Sequence, residues 1–321
     1  MKILKLNSRG NEVKQLQQKL KITADGIFGQ QTLHAVLNFQ RQNNLQPDGI
    51  VGPLTWSLLL SSFRMGVSHT PNVLHTPIFD PMVGELVEPY FLPENAYFPK
   101  STKKQWIFLH HTAGWQNPYR DIDSWAKRPD RKIATEFVIG GQSIHNDNTD
   151  HDGKILQAIP NNGWAWHLGI GNQCMHRESI GIELNSFGYL TKGYFEKRVN
   201  GKLQSIERDK NAYYTYVGQE VHRDQVITLE QPFRGYDHWH RYSSKQIKSL
   251  KLLLEHLANE HNIDIRKGLP DLIKKQGSKA FDKLDVGMCR DNPGLWSHTN
   301  VAGYKTDVFP QEELVEMLVG L

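Results

Sequence analysis

Cysteine is scarce in this chain: its 321 residues include two, Cys174 and Cys289. Two cysteines cannot build a disulfide framework; one pair is conceivable, but we expect free thiols. Long apolar runs are also missing, and without about 18 consecutive apolar residues no transmembrane helix is predicted. Residues 1–7 include a lysine but lead into no apolar segment, so no signal peptide is visible. We therefore expect synthesis in the cytoplasm.

The chain also lacks a large excess of charge of either sign. The 38 basic residues outnumber the 34 acidic ones by four, and the formal net charge is +4. Nucleic-acid binding usually needs a clustered basic face, so we predict no nucleic-acid partner. A mild positive charge does favour adhesion to an anionic polymer. The length allows two domains, and we expect a monomer.

A short pattern occurs twice near the start of the chain. Residues 25–32 recur as residues 48–55, and each copy reads Asp-Gly-Ile-x-Gly-x-x-Thr. The glycines suit positive φ in a tight turn, and each threonine stands where a helix N-cap is expected. Apolar residues at helical spacing before, between and after the copies predict a small three-helix module. They are Val13, Leu16, Leu20, Leu33, Val36, Leu37, Phe39, Trp56, Leu58 and Leu59.

This module resembles the peptidoglycan-binding domain type 1 family over its whole length. The resemblance implies binding to bacterial cell-wall peptidoglycan, beside a wall hydrolase. A helical bundle without a ligand is the alternative. The matching residues are Gly10, Val13, Leu16, Gln17, Leu20, Asp25, Gly26, Phe28, Gly29, Thr32, Phe39, Gln40, Asp48, Gly49, Val51, Gly52, Pro53, Thr55 and Trp56.

Prolines mark the next boundary. Residues 61–103 hold six of the fifteen prolines, which predicts a linker. Aromatic residues such as Tyr90, Phe91 and Phe98 make its second half too apolar for a free linker, so we expect that half to pack on the following domain. The predicted domains are a module over 1–62, a linker over 63–103 and a catalytic domain over 104–321.

An apolar run at 106–109 ends in His110 and His111. Its aromatic and β-branched residues predict a buried strand. Because adjacent side chains on a strand face opposite sides, the two histidines cannot both face one site. On this stretch alone, a pair of core or loop histidines is an equal alternative.

The rest of the chain predicts an α/β fold, with a mixed β-sheet flanked by helices. Segments 188–242 and 264–292 read as insertions, with weak strand signals near 213–217 and 225–229. Ser243 or Ser244 caps the clearest helix, which reaches about His261. The other predicted elements are strands over 134–139, 154–159 and 178–185, a short helix over 122–127 and a short C-terminal helix.

Three side chains suited to a metal stand far apart in the sequence: His110, His298 and Asp307. Two neutral imidazoles and one carboxylate form a donor set typical of catalytic zinc, with the fourth position left for water. Lys305 precedes Asp307 by two residues, so in extended chain both project to one side. An ammonium beside the metal could stabilise an oxyanion.

Five segments occur in the order of a known family. They resemble the zinc-dependent N-acetylmuramoyl-L-alanine amidases related to phage lysozyme-amidases and peptidoglycan recognition proteins. The resemblance implies one zinc ion and cleavage of the amide between N-acetylmuramic acid and L-alanine. It implies His110, His298 and Asp307 as ligands, with Lys305 and Glu183 as catalytic residues. The segments are 108–113, 152–155, 164–167, 179–184 and 297–307.

Each catalytic assignment has an alternative. Glu183 lies on an apolar strand, where poor solvation should raise its pKa toward that of a general base, but a buried ion pair would look the same. Glu136 is the rival base, because it too lies in an apolar strand. His167 resembles a substrate-contacting histidine, with Trp166 and Thr112 as further substrate contacts; loop packing is the alternative for His167.

The predicted function is that of a peptidoglycan hydrolase. A receptor that binds peptidoglycan without cleaving it and a recycling amidase for soluble muropeptides are the alternatives. Three filled ligand positions favour an enzyme, and the N-terminal module favours a polymeric wall substrate. Without a signal peptide, we expect the protein to reach the wall through a pore or a secretion machine, as a phage endolysin or a delivered toxin.

Overall fold

The computed structural model describes residues 3–20, 22–42, 45, 49–52, 55, 56, 58, 59, 87–160, 163–199 and 202–321. It divides into two compact units, 1–76 and 77–321. The predicted linker before residue 87 lies outside the described residues, as do Asp48 and Pro53 of the repeat. Within the described ranges, no helix combines the length and the apolar content needed to cross a membrane.

The first unit is a small helical module. Helix α1 spans Asn11–Lys19 and α2 spans Gln30–Gln42. Residues 55, 56, 58 and 59 are also helical, and the rest of the predicted third helix lies outside the described residues. The apolar spacing puts one face of each helix into a shared core. That core consists of Leu4, Val13, Leu16, Phe28, Val36, Val51, Trp56 and Leu59.

Each copy of the repeat is organised by a buried glutamine. The Gln17 side chain accepts from the Gly26 amide and donates to the Ile27 carbonyl, at 2.8 and 3.0 Å. Gln40 makes the same pair of bonds with Gly49 and Ile50, at 2.9 Å each. Both glycines have positive φ, 79° and 70°, which confirms the prediction for the first glycine of each copy. It is wrong for the second glycines, Gly29 and Gly52, whose φ is not positive.

The predicted N-cap role of Thr32 is wrong. Helix α2 already begins at Gln30, and the Thr32 hydroxyl donates to the Ile27 carbonyl at 3.2 Å. The same hydroxyl accepts from the Gln17 side chain at 2.8 Å, so the threonine closes the turn instead of capping the helix.

The second unit contains thirteen strands and six α-helices among its described residues. The strands are β1 (Val87–Pro89), β2 (Trp106–His111), β3 (Phe137–Ile139), β4 (Ile155–Gln157), β5 (Ser179–Leu184), β6 (Tyr189–Lys192), β7 (Tyr194–Val199), β8 (Lys202–Glu207), β9 (Tyr213–Tyr214), β10 (Glu220–Val221), β11 (Val226–Phe233), β12 (Tyr236–His240) and β13 (Gly294–Ser297). The helices are α3 (Pro118–Ala126), α4 (Gln173–Arg177), α5 (Ser244–His261), α6 (Leu269–Gln276), α7 (Val286–Asp291) and α8 (Glu312–Val319).

The main sheet is mixed and has the strand order β1-β4-β3-β5-β2-β13. Strand β2 lies second from one edge of this sheet and pairs in parallel with β5 and with the edge strand β13. Strand β4 runs antiparallel to β3. The carboxyl ends of β2, β5 and β13 therefore meet at one edge of the sheet, as the predicted mixed α/β fold requires.

Alternation sorts the side chains of β2 and β5 onto two faces. One face carries Ile107, Leu109, Ile180 and Ile182, which share a core with the leucines of α5. The other face carries Phe108, His110, Gly181 and Glu183 in corresponding register. Helix α5 thus closes one face of the sheet and leaves the polar end of the other face for a site. The α5 leucines in that core are Leu250, Leu253, Leu254 and Leu257.

The segment before residue 104 contributes to this unit. Strand β1 pairs with β4 at the edge of the main sheet. Leu92 and Tyr97 are buried beside Val138, and the Phe98 ring stacks on Trp164 with centroids 4.0 Å apart. Residues 87–98, which we assigned to the linker, therefore supply both a strand and core side chains. The domain boundaries as such stay a prediction.

The two segments read as insertions have ordered structure. Residues 188–242 form a five-stranded sheet, β10-β9-β6-β12-β11, and the β7–β8 hairpin. Residues 264–292 contain α6 and α7. Cys174 is exposed and Cys289 is buried, and both are free thiols.

Candidate active site

Three predicted ligand side chains converge where β2 and β13 end. His110 is the fifth residue of β2, and His298 directly follows β13. The Nδ1 atom of His298 lies 2.9 Å from Nδ1 of His110 and 2.8 Å from Oδ2 of Asp307. The remaining separation, from His110 Nδ1 to Asp307 Oδ2, is 3.4 Å. All three side chains are buried.

The hydrogen bonds of the two Nε2 atoms, which lie on the outer side of the ligand cluster, indicate the tautomers of His110 and His298. Nε2 of His298 lies 3.0 Å from the Leu168 carbonyl, which can only accept, so this nitrogen carries the proton. The Ser179 hydroxyl donates to the His176 carbonyl and so accepts from Nε2 of His167 at 2.8 Å. Nδ1 of His167 must then accept from Nε2 of His110, at 3.1 Å. In the neutral form of each ring, the Nδ1 atoms of the ligand pair then carry no proton.

Burial keeps the His110 imidazole neutral, and the surroundings of Asp307 keep its carboxylate charged. Burial, helped by the neighbouring His298, lowers the pKa of His110 to about 3. Burial works against ionisation of Asp307, but the adjacent His298 and His110 hold its pKa well below the usual range. Neutral imidazole and ionised carboxylate are the forms that bind metal.

This donor set fits a metal ion. Two nitrogen lone pairs and one carboxylate oxygen face each other with no proton to share, so a cation between them would relieve their repulsion. Ligand atoms about 2.0–2.1 Å from a tetrahedral zinc ion lie roughly 3.3 Å apart, close to the separations found here. Protonated outer nitrogens held by hydrogen bonds are also typical of metal-ligating histidines. His110, His298 and Asp307 could therefore hold a metal ion.

Glu183 lies next to this set on the same face of the sheet. It pairs in register with His110, and its Oε2 atom is buried without a hydrogen-bond partner among the described residues. Burial raises the pKa of Glu183 well above the usual range, and the charges of Asp307 and Asp121 raise it further. Lys305 opposes this rise. Glu183 is thus a carboxyl group with high proton affinity and no ion-pair partner in the described structure.

Glu136, the rival base, is engaged elsewhere. Its Oε1 lies 3.2 Å from Nζ of Lys104, and its Oε2 accepts from the Gly181 amide at 2.7 Å. Lys104 also donates to the carbonyl oxygens of Gly163 and Ser179, both at 2.9 Å. Both glutamate oxygens are therefore committed to a buried ion-pair network.

The other predicted residues are placed as follows. His111 faces away from His110 and contacts the Tyr242 hydroxyl at 3.0 Å, as strand alternation predicts. Lys305 is half-buried, and its charge acts on His110, His111 and Glu183. The Thr112 hydroxyl accepts from the Asn185 side chain at 3.3 Å.

His167 and Trp166 have structural partners. His167 is 8% exposed and has both ring nitrogens bonded, to His110 and Ser179. The Trp166 ring packs edge-on against His176, with centroids 4.8 Å apart. Their predicted contacts with substrate stay untested, while the contact of His167 with His110 is a supporting role that the sequence did not reveal.

Arg234, in the turn between β11 and β12, is a further residue that sequence reasoning missed. Its guanidinium donates to the Gly303 carbonyl at 2.6 Å and the Thr299 carbonyl at 3.3 Å. It also forms an ion pair with Asp282 at 2.7 Å. The 188–242 segment therefore braces the loop that carries His298. No local pattern marks this contact, because the two carbonyl partners are 69 and 65 positions away.

Comparison with known proteins identifies the family of the chain. A family model described as "N-acetylmuramoyl-L-alanine amidase" matches residues 100–308, which include every site residue named above. The chain belongs to the N-acetylmuramoyl-L-alanine amidase family. A second model, "Putative peptidoglycan binding domain", matches residues 9–59 and so covers the repeat module of this amidase-family chain.

Individual relatives match over shorter stretches. An uncharacterised Kitasatospora aureofaciens protein is 45% identical over 64 residues, 18% of this chain and 54% of that protein. A "Probable N-acetylmuramoyl-L-alanine amidase" of Bacillus licheniformis is 41% identical over 61 residues, 16% of this chain and 17% of the other. The chain thus spans about half of the first relative and about one-sixth of the second. The solved catalytic domain of XlyA is 16% identical, with 69% of this chain and 89% of that chain covered and a TM-score of 0.36.

Proposed function

We propose that this chain hydrolyses the amide bond between N-acetylmuramic acid and L-alanine in bacterial peptidoglycan, with zinc as its cofactor. The observation that carries the proposal is the convergence of His110, His298 and Asp307 beside Glu183, whose Oε2 has no hydrogen-bond partner among the described residues. Membership of the amidase family supports the reaction type. His110, His298 and Asp307 would hold the zinc ion, which supplies a Lewis acid and lowers the pKa of a bound water.

The protein's own groups would move the proton and hold the developing charge. Glu183, with its raised pKa, accepts the proton of the attacking water and then delivers it to the leaving alanine amine. The ammonium of Lys305 stabilises the oxyanion that forms on the carbonyl. We prefer Glu183 to Glu136 as the base because Glu136 has no oxygen free of Lys104 and Gly181.

The N-terminal module would hold the enzyme on its substrate. The match to the peptidoglycan binding domain model supports binding of the polymer by residues 9–59. An anchored enzyme suits an insoluble wall more than a small soluble muropeptide. We propose that it acts on the cell wall as an endolysin or a delivered lytic effector.

Metal content and product release test this function together. Purified full-length protein should contain one zinc per chain and should release free N-terminal L-alanine from purified sacculi. His110→Ala should lose both properties. His111→Ala is the matched control. Because His111 faces Tyr242, this variant should keep its metal.

Three other outcomes would contradict the proposal. Metal loss in His111→Ala but not in His110→Ala would overturn the assignment of strand faces. Binding to sacculi without alanine release would identify a receptor. Release from soluble muropeptides alone would identify a recycling enzyme.

A further inference from the structure

A groove lies on the 188–242 segment, outside the metal site. Its volume is about 630 Å³, within the range of small-molecule binding sites. Aromatic and apolar side chains dominate the lining: Tyr189, Phe195, Leu203, Tyr216, Val217 and Tyr236. We call this surface the tyrosine groove.

The tyrosine groove exposes side chains that are usually covered. Leu203, Tyr216 and Val217 are 57, 40 and 48% exposed. The rings of Tyr189 and Tyr236 stack with centroids 3.9 Å apart and an angle of 17° between their planes. Tyr189 and Tyr236 also pack against the main core, so the exposed apolar part of the groove consists of Leu203, Tyr216 and Val217. A cluster of exposed apolar side chains indicates a ligand surface.

The groove contacts the carboxyl end of β2 and the segment that follows it. The Tyr216 hydroxyl donates to the Ala113 carbonyl at 2.8 Å, three residues after His110. Tyr189 opens β6 directly after Gly188, and a Cβ at Gly188 would lie 2.6 Å from Nε2 of His111. Both contacts place the groove beside the carboxyl end of β2, with His111 on the opposite face of the strand from the ligand His110.

The chemistry of the lining favours a carbohydrate. Tyrosine combines a flat apolar ring with a polar hydroxyl and loses little conformational entropy on binding. A pyranose ring offers the complement, an apolar C–H face within a rim of hydroxyl and amide groups. Glu196 and Lys197 supply charges of opposite sign to the lining, which suits a ligand without a high net charge.

From this arrangement we infer that the tyrosine groove binds the glycan strand of peptidoglycan, on sugars adjacent to the one whose stem peptide is cleaved. The inference rests on the proposed function, because the reacting amide is attached to a sugar of that strand. It assigns a role to the 188–242 segment: this segment extends the site from one cleaved bond to a polymer.

Calorimetry with a β-1,4-linked tetramer of N-acetylglucosamine tests the groove directly. Tyr216→Ala and Leu203→Ser in the full chain should each weaken tetramer binding, by about tenfold for the tyrosine. Tyr216→Phe keeps the ring and should bind within about threefold of the unmodified protein. Val319→Ser is the matched control, because it removes an exposed apolar side chain far along the sequence, in α8. The N-terminal module is the same in every variant, so differences between them report on the groove.

Activity provides the second readout. Tyr216→Ala should raise KM for solubilised glycan chains more than KM for a single disaccharide-peptide. Unchanged tetramer binding in both groove variants would overturn the inference. A loss of binding that is confined to a free stem tripeptide would also overturn it. An equal rise in KM for the polymer and for the disaccharide-peptide would do the same, since Tyr216 would then act only by holding Ala113. If no substrate releases alanine but the tetramer still binds through Tyr216, the proposed function fails and the groove remains a glycan site.

Discussion

Alternation along β5 places one carboxyl group where its ionised form is poorly solvated. Ile182 and Leu184 face the leucines of α5, so Glu183 between them faces His110. Its Oε2 has no partner among the described residues, and burial raises its pKa well above the usual range. A carboxyl group in this state gains a proton readily, as a general base next to an acidified water must.

Replacing the Glu183 carboxyl group by its amide tests the proposed proton transfer. Glu183→Gln keeps the shape of the side chain and leaves all three ligands untouched, so it should retain zinc and the melting temperature. Its kcat for alanine release should fall by about 10²–10⁴, the usual contribution of general acid–base catalysis. Metal analysis, thermal melting and a rate assay on one preparation check this.

Glu136→Gln is the contrasting variant. It leaves the buried Lys104 ammonium without its carboxylate, which typically costs about 3–5 kcal/mol. We expect a clear loss of stability. If Glu136→Gln were stable but inactive while Glu183→Gln stayed active, the base would be Glu136.

A second carboxyl group makes stability depend on pH. Burial raises the pKa of Asp121 to about 7, although its carboxylate accepts from the Asn185 side chain at 2.6 Å. The folded state then binds this proton more tightly than the unfolded state, whose pKa is near 3.8. Its contribution to stability is fully present below about pH 4 and is lost as the pH rises through about 7.

Asp121→Asn should remove that dependence. Relative to the unmodified protein, the variant should gain free energy of unfolding between pH 4.5 and pH 8, with a slope of at most about 1.4 kcal/mol per pH unit. Urea denaturation at several pH values measures the difference. A difference that stays constant over this range would show that Asp121 titrates alike in the folded and unfolded chains.

At the scale of elements, helix α5 depends on one of two adjacent serines. The sequence allowed either Ser243 or Ser244 as the cap, and the structure selects Ser243. Its hydroxyl accepts from the Gln246 amide at 2.9 Å and donates to the buried Asp152. Ser244 is exposed and contacts Glu313.

The two serines therefore form a matched pair. Ser243→Ala should lower the free energy of unfolding by at least about 1 kcal/mol, because it removes the cap and leaves Asp152 short of a donor. Ser244→Ala should stay within about 0.5 kcal/mol. Chemical denaturation compares them, and equal effects would mean that the cap is not the source of the stability.

Elements with one buried face could be predicted, whereas exposed ones could not. Apolar runs indicated β2 and β5, and helical spacing indicated α5 almost to the residue. Strand β8 reads Lys-Leu-Gln-Ser-Ile-Glu, and most of its side chains are exposed, so no burial pattern marks it. Its pairing with β7 follows from backbone hydrogen bonds that side-chain periodicity does not record.

The site also has a part that the sequence predicted and a part that it could not predict. Donor chemistry and family resemblance indicated His110, His298 and Asp307, and strand alternation separated His110 from His111. The bond from His110 to His167 and the contacts of Arg234 join distant segments. Such contacts depend on the packed fold, so the sequence alone could not predict them.

At the scale of the whole molecule, the chain forms two compact units, 1–76 and 77–321. If the first unit only tethers the enzyme, it raises the effective concentration of wall substrate at the second. A chain that starts near residue 65 should then cleave a small soluble muropeptide at the full-length rate. On sacculi it should be slower, and the gap should narrow as enzyme concentration rises.

The expected result depends on where the chain is truncated. A chain that starts near residue 104 lacks β1 and the buried Leu92 and Tyr97, so it should melt at a lower temperature. Residues 1–60 alone should sediment with wall material. Equal activity on sacculi with and without the module, at every enzyme concentration, would show that it is no wall anchor here.

The candidate metal ligands also come from distant parts of the chain. His110 and His298 are 188 positions apart, and four strands of the main sheet, β3, β4, β5 and β13, lie between them in the chain. An ion held by both would act as a reversible cross-link that closes a very long loop, and loop closure restricts the unfolded chain more as the loop lengthens. Occupancy of the site and integrity of the fold would then be one coupled equilibrium, in which the free metal concentration sets the fraction of chains that are folded.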